Sequence, residues 1–304
     1  MSPSRQYTIA CLAGDGVGPE LMAEASRALA AVSHLHGFGL TELHLPFGGE
    51  ARVRFGHRLP QGTRDGYRRA HAVLVASPDE PALHAVRAEL DVCWSVARVP
   101  VAGGADVMVV GPLGRFCEQV AVTQAFEIAA ERRGAVTSVG DSEGWTSLVD
   151  VEATAWPGVT VEHVSLGEAL AAASTNPSRF DVVVTDDRFG SAFADALATV
   201  NGTSAYVARG WLPAHGPGVF APSAPVTAED AGFGVVNPTS MLLSASLLLD
   251  AGVRRRSAAR TLERAVAGAA GRAHDGLTRS FADAVIELLP ESRTDLELFD
   301  EVWG

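Results

Sequence analysis

The fold is decided by the stretch Ile9-Ala-Cys-Leu-Ala-Gly14-Asp15-Gly16-Val17-Gly18-Pro19-Glu20. An apolar run is followed by three glycines within five residues, a pattern typical of a buried strand that ends in a tight turn. Pro19 then occupies the first turn of a helix, where its missing N–H leaves no hydrogen bond unmade. Backbone amides in such a turn can approach a ligand closely. The stretch therefore predicts a strand–turn–helix unit, and a glycine-rich turn alone is weak evidence for a ligand.

Similar strands and helices alternate along the rest of the chain. Short runs rich in Val and Ile predict buried strands at Tyr7–Ala13, Ala72–Ser77, Asp106–Val110, Val136–Val139 and Asp181–Thr185. Apolar stripes at helical spacing predict helices over Glu20–Val32, Val120–Arg133, Ser165–Ser174, Thr239–Asp250, Ser257–Ala270 and Thr278–Leu288. Such alternation indicates an α/β fold with helices covering a sheet. Glycine- and proline-rich stretches predict hinges or loops at Pro100–Gly104 and Gly202–Pro225.

Composition excludes several classes of function. The net charge of −12 over 304 residues argues against general binding to nucleic acid or to an anionic membrane. No signal peptide precedes Tyr7, and the most apolar run, Met241–Leu249, is too short to span a bilayer, so we expect a cytoplasmic protein. The three cysteines, Cys11, Cys93 and Cys117, indicate buried thiols. Lysine is absent, which excludes Schiff-base chemistry and a P-loop lysine.

Five further motifs follow the opening stretch in a fixed order. They are Gly48-Gly49 with Gly56-His-Arg-Leu59-Pro60, then Ala125-Phe-Glu-Ile-Ala129, Val136-Thr-Ser-Val139, Phe180-Asp-Val-Val-Val-Thr185-Asp186-Asp187-Arg188-Phe189-Gly190, and Ala231-Gly-Phe-Gly-Val-Val-Asn237-Pro238. In this order they resemble the isopropylmalate/isocitrate dehydrogenases, the β-decarboxylating dehydrogenase family. The six matches are specific for the fold and not for the activity.

The resemblance implies an isopropylmalate dehydrogenase-like two-domain α/β/α fold with an interdomain cleft. Domain 1, on the nucleotide side, would comprise residues 1–96 and 202–304. Domain 2, on the substrate and dimerisation side, would comprise residues 97–201. Family members are homodimers in which each active site takes residues from both chains, so we expect a homodimer here as well.

The family oxidises a 2-hydroxy acid with NAD or NADP and then decarboxylates the product, assisted by a divalent metal. Three aspartates hold that metal, one of them from the partner subunit. The resemblance puts these positions on Gly167, Ser191 and Asp195, with Glu168 one residue away as a possible replacement. The alternative for Asp195 is a solvent-facing helix acid. One carboxylate is a poor magnesium site, so magnesium or manganese is not expected and no cofactor is taken as required.

The family's catalytic lysine falls on Asp141 here, and the asparagine that follows it falls on Glu143. These two acids are the candidate catalytic residues, either as a general base or as partners of a cationic group. The alternative is that both point to solvent. The family tyrosine has no counterpart, because its loop is shortened to Gly111–Phe116.

Three family arginines grip the substrate carboxylates, since a guanidinium fork matches a carboxylate. Arg87 keeps the first position, the second falls on Ala97 with Arg98 beside it, and the third falls on Gly111 with Arg115 nearby. Arg115 is otherwise a surface arginine. The predicted substrate-binding residues are therefore Arg87, Arg98 and Asp195.

The nucleotide side keeps more of the family pattern. Asp15 and Val17 lie in the glycine-rich turn, and Asn237 keeps a position near the adenine. Glu229, or Asp230 in a shifted register, stands where an acid would bind the ribose hydroxyls and disfavour a 2′-phosphate. The chain could therefore still bind NAD, and the alternative is that the fold keeps these turns for packing alone. The preceding adenine loop is altered to residues 224–228.

Three hypotheses for the function follow. The first is a protein repurposed in a biosynthetic pathway, which no longer performs metal-dependent oxidative decarboxylation and binds or transforms a small molecule in the cleft. The second is a metal-independent NAD-dependent oxidoreductase, and the third is a non-catalytic dimeric partner protein. Because acids replace the lysine and the arginines are fewer, the matching set of charges turns from positive to negative. We therefore expect a ligand that is neutral, monoanionic or cationic, and not a di- or tricarboxylate.

Overall fold

The computed structural model describes residues 5–101, 104–223, 228–271, 276–291 and 295–296 of the chain. These residues form the α/β fold that the sequence predicts. Its strands are β1 (Gln6–Leu12), β2 (Gly39–His44), β3 (Ala72–Val75), β4 (Val92–Pro100), β5 (Asp106–Pro112), β6 (Ala135–Val139), β7 (Thr160–Val164), β8 (Val182–Thr185), β9 (Ala208–Pro213) and β10 (Gly218–Pro222).

The helices include all six of those predicted from the apolar stripes. They are α1 (Gly18–His36), α2 (Gly48–Phe55), α3 (Gln61–Arg69), α4 (Glu80–Glu89), α5 (Glu118–Ala130), α6 (Glu143–Ala153), α7 (Leu166–Thr175), α8 (Gly190–Val200), α9 (Thr239–Leu247), α10 (Arg256–Ala270) and α11 (Thr278–Glu287). None of the described helices is both long and apolar enough to cross a membrane.

The chain divides into two compact units. Unit 1 comprises Met1–Leu90 and Gly216–Gly304, and unit 2 comprises Asp91–His215. The predicted domain borders lay at 96/97 and 201/202. The difference arises because β4 pairs antiparallel with both β5 and β9, and this ladder keeps all three strands in unit 2.

Unit 1 carries four strands in the order β2-β1-β3-β10, and the neighbouring strands are parallel. The first crossover is α1, whose apolar stripe includes Leu21, Ala25, Leu29 and Val32, all at most 3% exposed. The helix ends at Gly37, which adopts a left-handed conformation with φ of 68°. The left-handed turn satisfies the last carbonyls of the helix and directs the chain into β2.

Unit 2 carries six strands in the order β9-β4-β5-β8-β6-β7. The last four of these run parallel to one another, whereas β4 is antiparallel to both of its neighbours. A core on the α8 side of the sheet contains Phe180 and Phe193, whose ring centroids lie 6.0 Å apart in an edge-to-face arrangement. Asp141 and Glu143 follow β6, and Asp195 lies on α8, which follows β8.

Two sequence predictions are wrong. The stretch Gly202–Pro225, predicted as a loop or hinge, contains β9 and β10. Both strands are short and bounded by Gly and Pro, so their propensity indicates a loop while their ladder partners make them strands. In addition, Cys93 and Cys117 form a disulfide across 24 residues of sequence, with a Cα–Cα distance of 5.5 Å. Only Cys11 remains as the buried thiol that was predicted.

Candidate functional site

The glycine-rich turn of unit 1 is fixed by a hydrogen-bonded carboxylate. Asp15 accepts from the backbone N–H of Gly49 at 2.5 Å and of Glu50 at 2.7 Å, at the first turn of α2. A Cβ at Gly48 would lie 2.7 Å from an Asp15 carboxylate oxygen, so glycine is needed there for the approach. Val17, the other predicted cofactor residue of the turn, is fully buried. The turn is thus rigid, and the Asp15 carboxylate is engaged by the fold.

The predicted adenine side lies in the loop that precedes α9. Glu20, on α1, accepts from the N–H groups of Gly232 and Gly234 and ties this loop to the helix. Asn237 is exposed, and its side-chain oxygen accepts from Thr239 N–H at 2.9 Å. Glu229 is exposed on a short 3-10 turn. The altered adenine loop falls largely on residues 224–227, outside the described residues.

The predicted substrate arginines are held in ion pairs. Arg98 is 6% exposed, and its Nε lies 3.5 Å from a carboxylate oxygen of Asp106. Arg87, on α4, lies 3.9 Å from Glu80, and partial burial lowers the pKa of its guanidinium. The structure therefore places Arg98 in the interior of unit 2 rather than at a surface where it could meet a solute.

Arg98 also cannot stand in for its neighbour. Successive side chains of a strand point to opposite faces, so Ala97 and Arg98 face different sides of the sheet. Ala97 packs in the α8-side core, whereas Arg98 shares Asp106 with Arg132. At Gly111, the position matching the third arginine, a Cβ would lie 3.0 Å from the Gly190 Cα, a tight contact that disfavours a side chain there.

The two candidate catalytic acids follow β6. Asp141 and Glu143 are both exposed, on either side of Ser142, whose hydroxyl caps α6 by accepting from Trp145 N–H at 3.2 Å. Arg188 has a raised pKa, chiefly because of its hydrogen bond to Asp186, with a smaller contribution from the charge of Asp141. Asp141 therefore lies in the electrostatic environment of the segment that follows β8.

The family's metal positions do not assemble a carboxylate set in this chain. Gly167 and Ser191 offer no carboxylate, and Asp195 forms an ion pair with Arg209. Glu168 closes a capping box with Ser165, accepting from its N–H at 2.8 Å and its hydroxyl at 2.7 Å. These hydrogen bonds also lower the pKa of Glu168. Among these four positions only Asp195 and Glu168 carry carboxylates, and both are engaged within the fold.

Sequence reasoning missed a second group of acids in unit 2, formed by Glu118, Asp186 and Asp187. Glu118 begins α5, while Asp186 and Asp187 follow β8. Burial raises the pKa of Glu118, and the charges of Asp187 and Asp186 raise it further against the opposing effect of Arg115. The doubled aspartate after a buried strand was the available signal. Its proximity to Glu118 could not be read because these residues lie far apart in sequence.

The comparisons with known proteins bear on this arrangement. A family profile described as "Isocitrate/isopropylmalate dehydrogenase" matches residues 8–92 and 114–284. A 3-isopropylmalate dehydrogenase from Synechococcus sp. is 30% identical, over 86% of this chain and 90% of the relative. Another from Salinibacter ruber is 32% identical, over 82% and 84% of the two chains.

Solved structures show the same fold. A β-decarboxylating dehydrogenase from Thermococcus kodakarensis matches with a TM-score of 0.78 and 21% identity, over 98% of this chain and 99% of that one. An isocitrate dehydrogenase from Methylococcus capsulatus matches with a TM-score of 0.75 and 20% identity, over 93% and 99%.

These matches correct one expectation. We expected that no cofactor is required and that neither magnesium nor manganese takes part. Dehydrogenases of the matched family are metal-dependent and use NAD or NADP, so this expectation is wrong. That expectation rested on three aligned positions, Gly167, Ser191 and Asp195, and not on the family as a whole.

Proposed function

We propose a changed substrate for this chain, which belongs to the isocitrate/isopropylmalate dehydrogenase family. In this proposal the protein no longer oxidises and decarboxylates 3-isopropylmalate or isocitrate, and it binds a different small molecule. That molecule is neutral, carries a single carboxylate or bears a cationic group. The burial of Arg98 in an ion pair with Asp106 carries the proposal, because this guanidinium is not presented to an anionic substrate.

Two further observations support the loss of the arginines that bind the substrate carboxylates. A Cβ at position 111 would lie 3.0 Å from the Gly190 Cα and from the Thr185 hydroxyl oxygen, so an arginine there requires these neighbours to move by a few tenths of an ångström. The family profile also passes over residues 93–113, the segment that contains both altered arginine positions. The two altered arginine positions thus lie outside the matched regions, which include the nucleotide-side turn.

The charge of the unit 2 acids supports the class of ligand. Burial raises the pKa of Glu118, and the charges of Asp187 and Asp186 raise it further, so ionising this carboxylate carries an electrostatic cost. A cationic or hydrogen-bond-donating ligand would relieve it, whereas a tricarboxylate would add to it. In the proposed complex Asp141 or Glu143, both exposed, pairs with the cationic group or accepts a proton from the ligand.

We further propose that NAD is the dinucleotide used and that the protein acts as a homodimer. Bound NAD would supply a hydride acceptor. The chain's own contribution is the exposed Glu229, whose charge favours a ribose with free hydroxyls over one with a 2′-phosphate. Members of the family are homodimers, which supports a homodimer here, and sedimentation velocity at micromolar concentration tests it.

Calorimetry tests the change of substrate. Wild-type protein is titrated, with magnesium or manganese present, with citrate, 3-isopropylmalate and a panel of neutral and amine-bearing metabolites. We expect binding within the panel, little heat with citrate or 3-isopropylmalate, and weaker binding of an amine ligand to Asp141→Asn. Asp150→Asn, an exposed aspartate on α6, is the matched control.

Two results would overturn the proposal. One is tight binding of citrate or 3-isopropylmalate, or steady reduction of NAD or NADP with 3-isopropylmalate or isocitrate. The other is a panel without any binder, which would favour the non-catalytic partner protein instead.

A further inference from the structure

A thiol, a carboxylate and an imidazole meet at the edge of the unit 1 sheet. Cys11, Glu42 and His44 each offer one ligand atom, and these three atoms all lie within 4.8 Å of one another. The Glu42 Oε2 and the His44 Nε2 are 3.0 Å apart. No other group of three such side chains approaches this closely among the described residues. Cys11 belongs to the opening stretch, but none of the three residues stands at a position that the resemblance assigns to substrate, metal or cofactor.

The register of the sheet explains why the three side chains converge. Strands β1 and β2 are parallel, and Cys11 is the pairing partner of His44. Because side chains alternate along a strand, Glu42 lies on the same face as His44, two residues before it. The strands hold the cluster, so its geometry depends on a rigid ladder rather than on a loop.

A hydroxyl from the covering helix fixes the carboxylate. The Ser26 hydroxyl, on α1, donates to the Glu42 Oε2 at 2.6 Å. Metal-binding carboxylates are commonly oriented by such a hydrogen bond from a neighbouring group. Ser26 is therefore a positioning residue for the cluster, and it contributes no ligand of its own.

The donor atoms select the kind of metal. A thiolate and an imidazole are ligands for zinc and other transition metals, whereas magnesium and calcium take oxygen ligands. Ligand atoms around tetrahedral zinc lie roughly 3.5 Å apart, given metal–ligand bonds of about 2.0–2.3 Å. The cluster needs movements of about 1 Å to reach that spacing. The His44 side chain, 60% exposed, is free to make them.

A cavity beside the cluster leaves room for a fourth ligand. It has a volume of about 220 Å³, and Cys11 and His44 are among the residues that line it. Three protein ligands with one open position are typical of zinc sites that bind water or a small molecule.

We propose that Cys11, Glu42 and His44 bind one Zn²⁺ ion per chain, with the fourth coordination position open to this cavity. The ion would link the edge strand β2 to β1. The proposal is independent of the changed substrate, because all three ligands lie in unit 1 and none takes part in the carboxylate grip.

Cobalt titration of the full chain tests the proposal. The protein, without a histidine tag and with its disulfide intact, is stripped of metal with a chelator and then titrated with Co²⁺ and with Zn²⁺. Because Cys11 is the only cysteine outside the disulfide, a thiolate-to-cobalt charge-transfer band reports this site alone. We expect that band at one equivalent and its bleaching by Zn²⁺.

Variants assign the ligands. Cys11→Ser should abolish the charge-transfer band, and His44→Gln should weaken Zn²⁺ binding by more than the roughly 10–100-fold that losing an outer-shell partner costs. Ser26→Ala should cost an amount within that range. His34→Gln changes an exposed histidine of α1 outside the cluster and should leave affinity unchanged.

The outcomes are decisive in both directions. Absence of the charge-transfer band in folded wild type, or equal Zn²⁺ affinity in wild type and His44→Gln, would overturn the proposal. If Cys11→Ser fails to fold, Glu42→Gln and His44→Gln, at less buried positions, give the same answer.

Discussion

Arg98 on β4 lies against Asp106 on β5, with 3.5 Å between the guanidinium Nε and a carboxylate oxygen. Arg132 approaches the same carboxylate at 3.1 Å and also pairs with Asp181 at 2.8 Å, and Arg133 lies 3.6 Å from Asp181, so three arginines and two aspartates share one network. An arginine that sequence comparison assigns to substrate binding is thereby part of the fold. Its charge is balanced inside unit 2.

Asp106→Asn should destabilise the protein. The change leaves the Arg98 guanidinium, 7% exposed in its side chain, without its carboxylate. Breaking a buried ion pair typically costs 3–5 kcal/mol, and we expect about 3 kcal/mol or less because the Asp106 side chain retains 30% exposure. Chemical denaturation at pH 7 measures the difference. Asp150→Asn, which removes an exposed ion pair, should change stability by less than about 0.5 kcal/mol.

The difference in the free energy of unfolding between wild type and Asp106→Asn should depend on pH. Burial by itself would raise the pKa of Asp106, but the charges of Arg98 and Arg132 outweigh it and the pKa is lowered. A lowered pKa stabilises the folded protein above the unfolded pKa, near 3.9, and the contribution is lost as pH falls through the folded value. The gap between wild type and Asp106→Asn should therefore narrow below about pH 4. A gap that stays constant into acid would contradict the assignment.

Glu118→Gln should stabilise the protein at neutral pH. Burial raises the pKa of Glu118, and Asp187 and Asp186 raise it further, so its stabilising contribution is lost as pH rises through the folded value. We expect a gain of less than about 1 kcal/mol at pH 7, because the group is partly solvated, and none near pH 4. Thermal denaturation at the two values measures it.

A control variant and a binding assay distinguish electrostatic repulsion at Glu118 from a general gain in stability on removing an acidic charge. Glu127→Gln, elsewhere on α5, should bring no such gain. If the unit 2 acids bind a cationic ligand, Glu118→Gln should also weaken that ligand while it raises the melting temperature. If Glu118→Gln and Glu127→Gln change the melting temperature equally, repulsion at Glu118 is not the cause.

Local sequence patterns predict the helices and most buried strands, whereas elements that depend on long-range pairing are not predicted. The apolar stripe of α1 and its proline at Pro19 predict a helix over Glu20–Val32, which starts two residues after and ends four residues before the observed Gly18–His36, because these signals are local. The strands at Ala208–Pro213 and Gly218–Pro222 are strands only through their ladder partners, so their own composition could not identify them. Arg98 could not be separated from Ala97 by alignment, because one residue along a strand reverses the face.

Cys11 should make the stability of the metal-free protein fall at alkaline pH. Burial raises the pKa of the Cys11 thiol well above its usual range, with a smaller contribution from the charge of Glu42. A raised folded pKa leaves stability intact below the unfolded value, near 8.5, and lowers it by about 1.4 kcal/mol per pH unit above that. Few other groups titrate there, since the chain has no lysine and three tyrosines.

Denaturation with a chelator present, at intervals from pH 7.5 to roughly 10, measures this slope over the range where a thiol normally ionises. The matched variant is Cys11→Ala, whose stability should lack the part of the alkaline decrease that ionisation of the thiol causes. The native thiol should also react slowly with an alkylating reagent, because the thiolate is the nucleophile. Identical slopes in the two proteins would show that the thiol ionises freely in the fold.

Gly111→Ala tests whether packing has closed the family's third arginine position. The new Cβ would lie 3.0 Å from both the Gly190 Cα and the Thr185 hydroxyl oxygen, and the first of these is backbone that cannot rotate away. Overpacking of this kind costs about 1–3 kcal/mol. Gly62→Ala is the matched control, because a Cβ there meets nothing within 4 Å and alanine favours the helix. It should leave the protein as stable or slightly more stable.

Gly111→Arg should be destabilised further and show no oxidation of 3-isopropylmalate, since a guanidinium at a tightly packed position cannot reach a substrate. A folded Gly111→Arg protein that binds 3-isopropylmalate more tightly than wild type would show that the grip was lost through this one residue and can be restored.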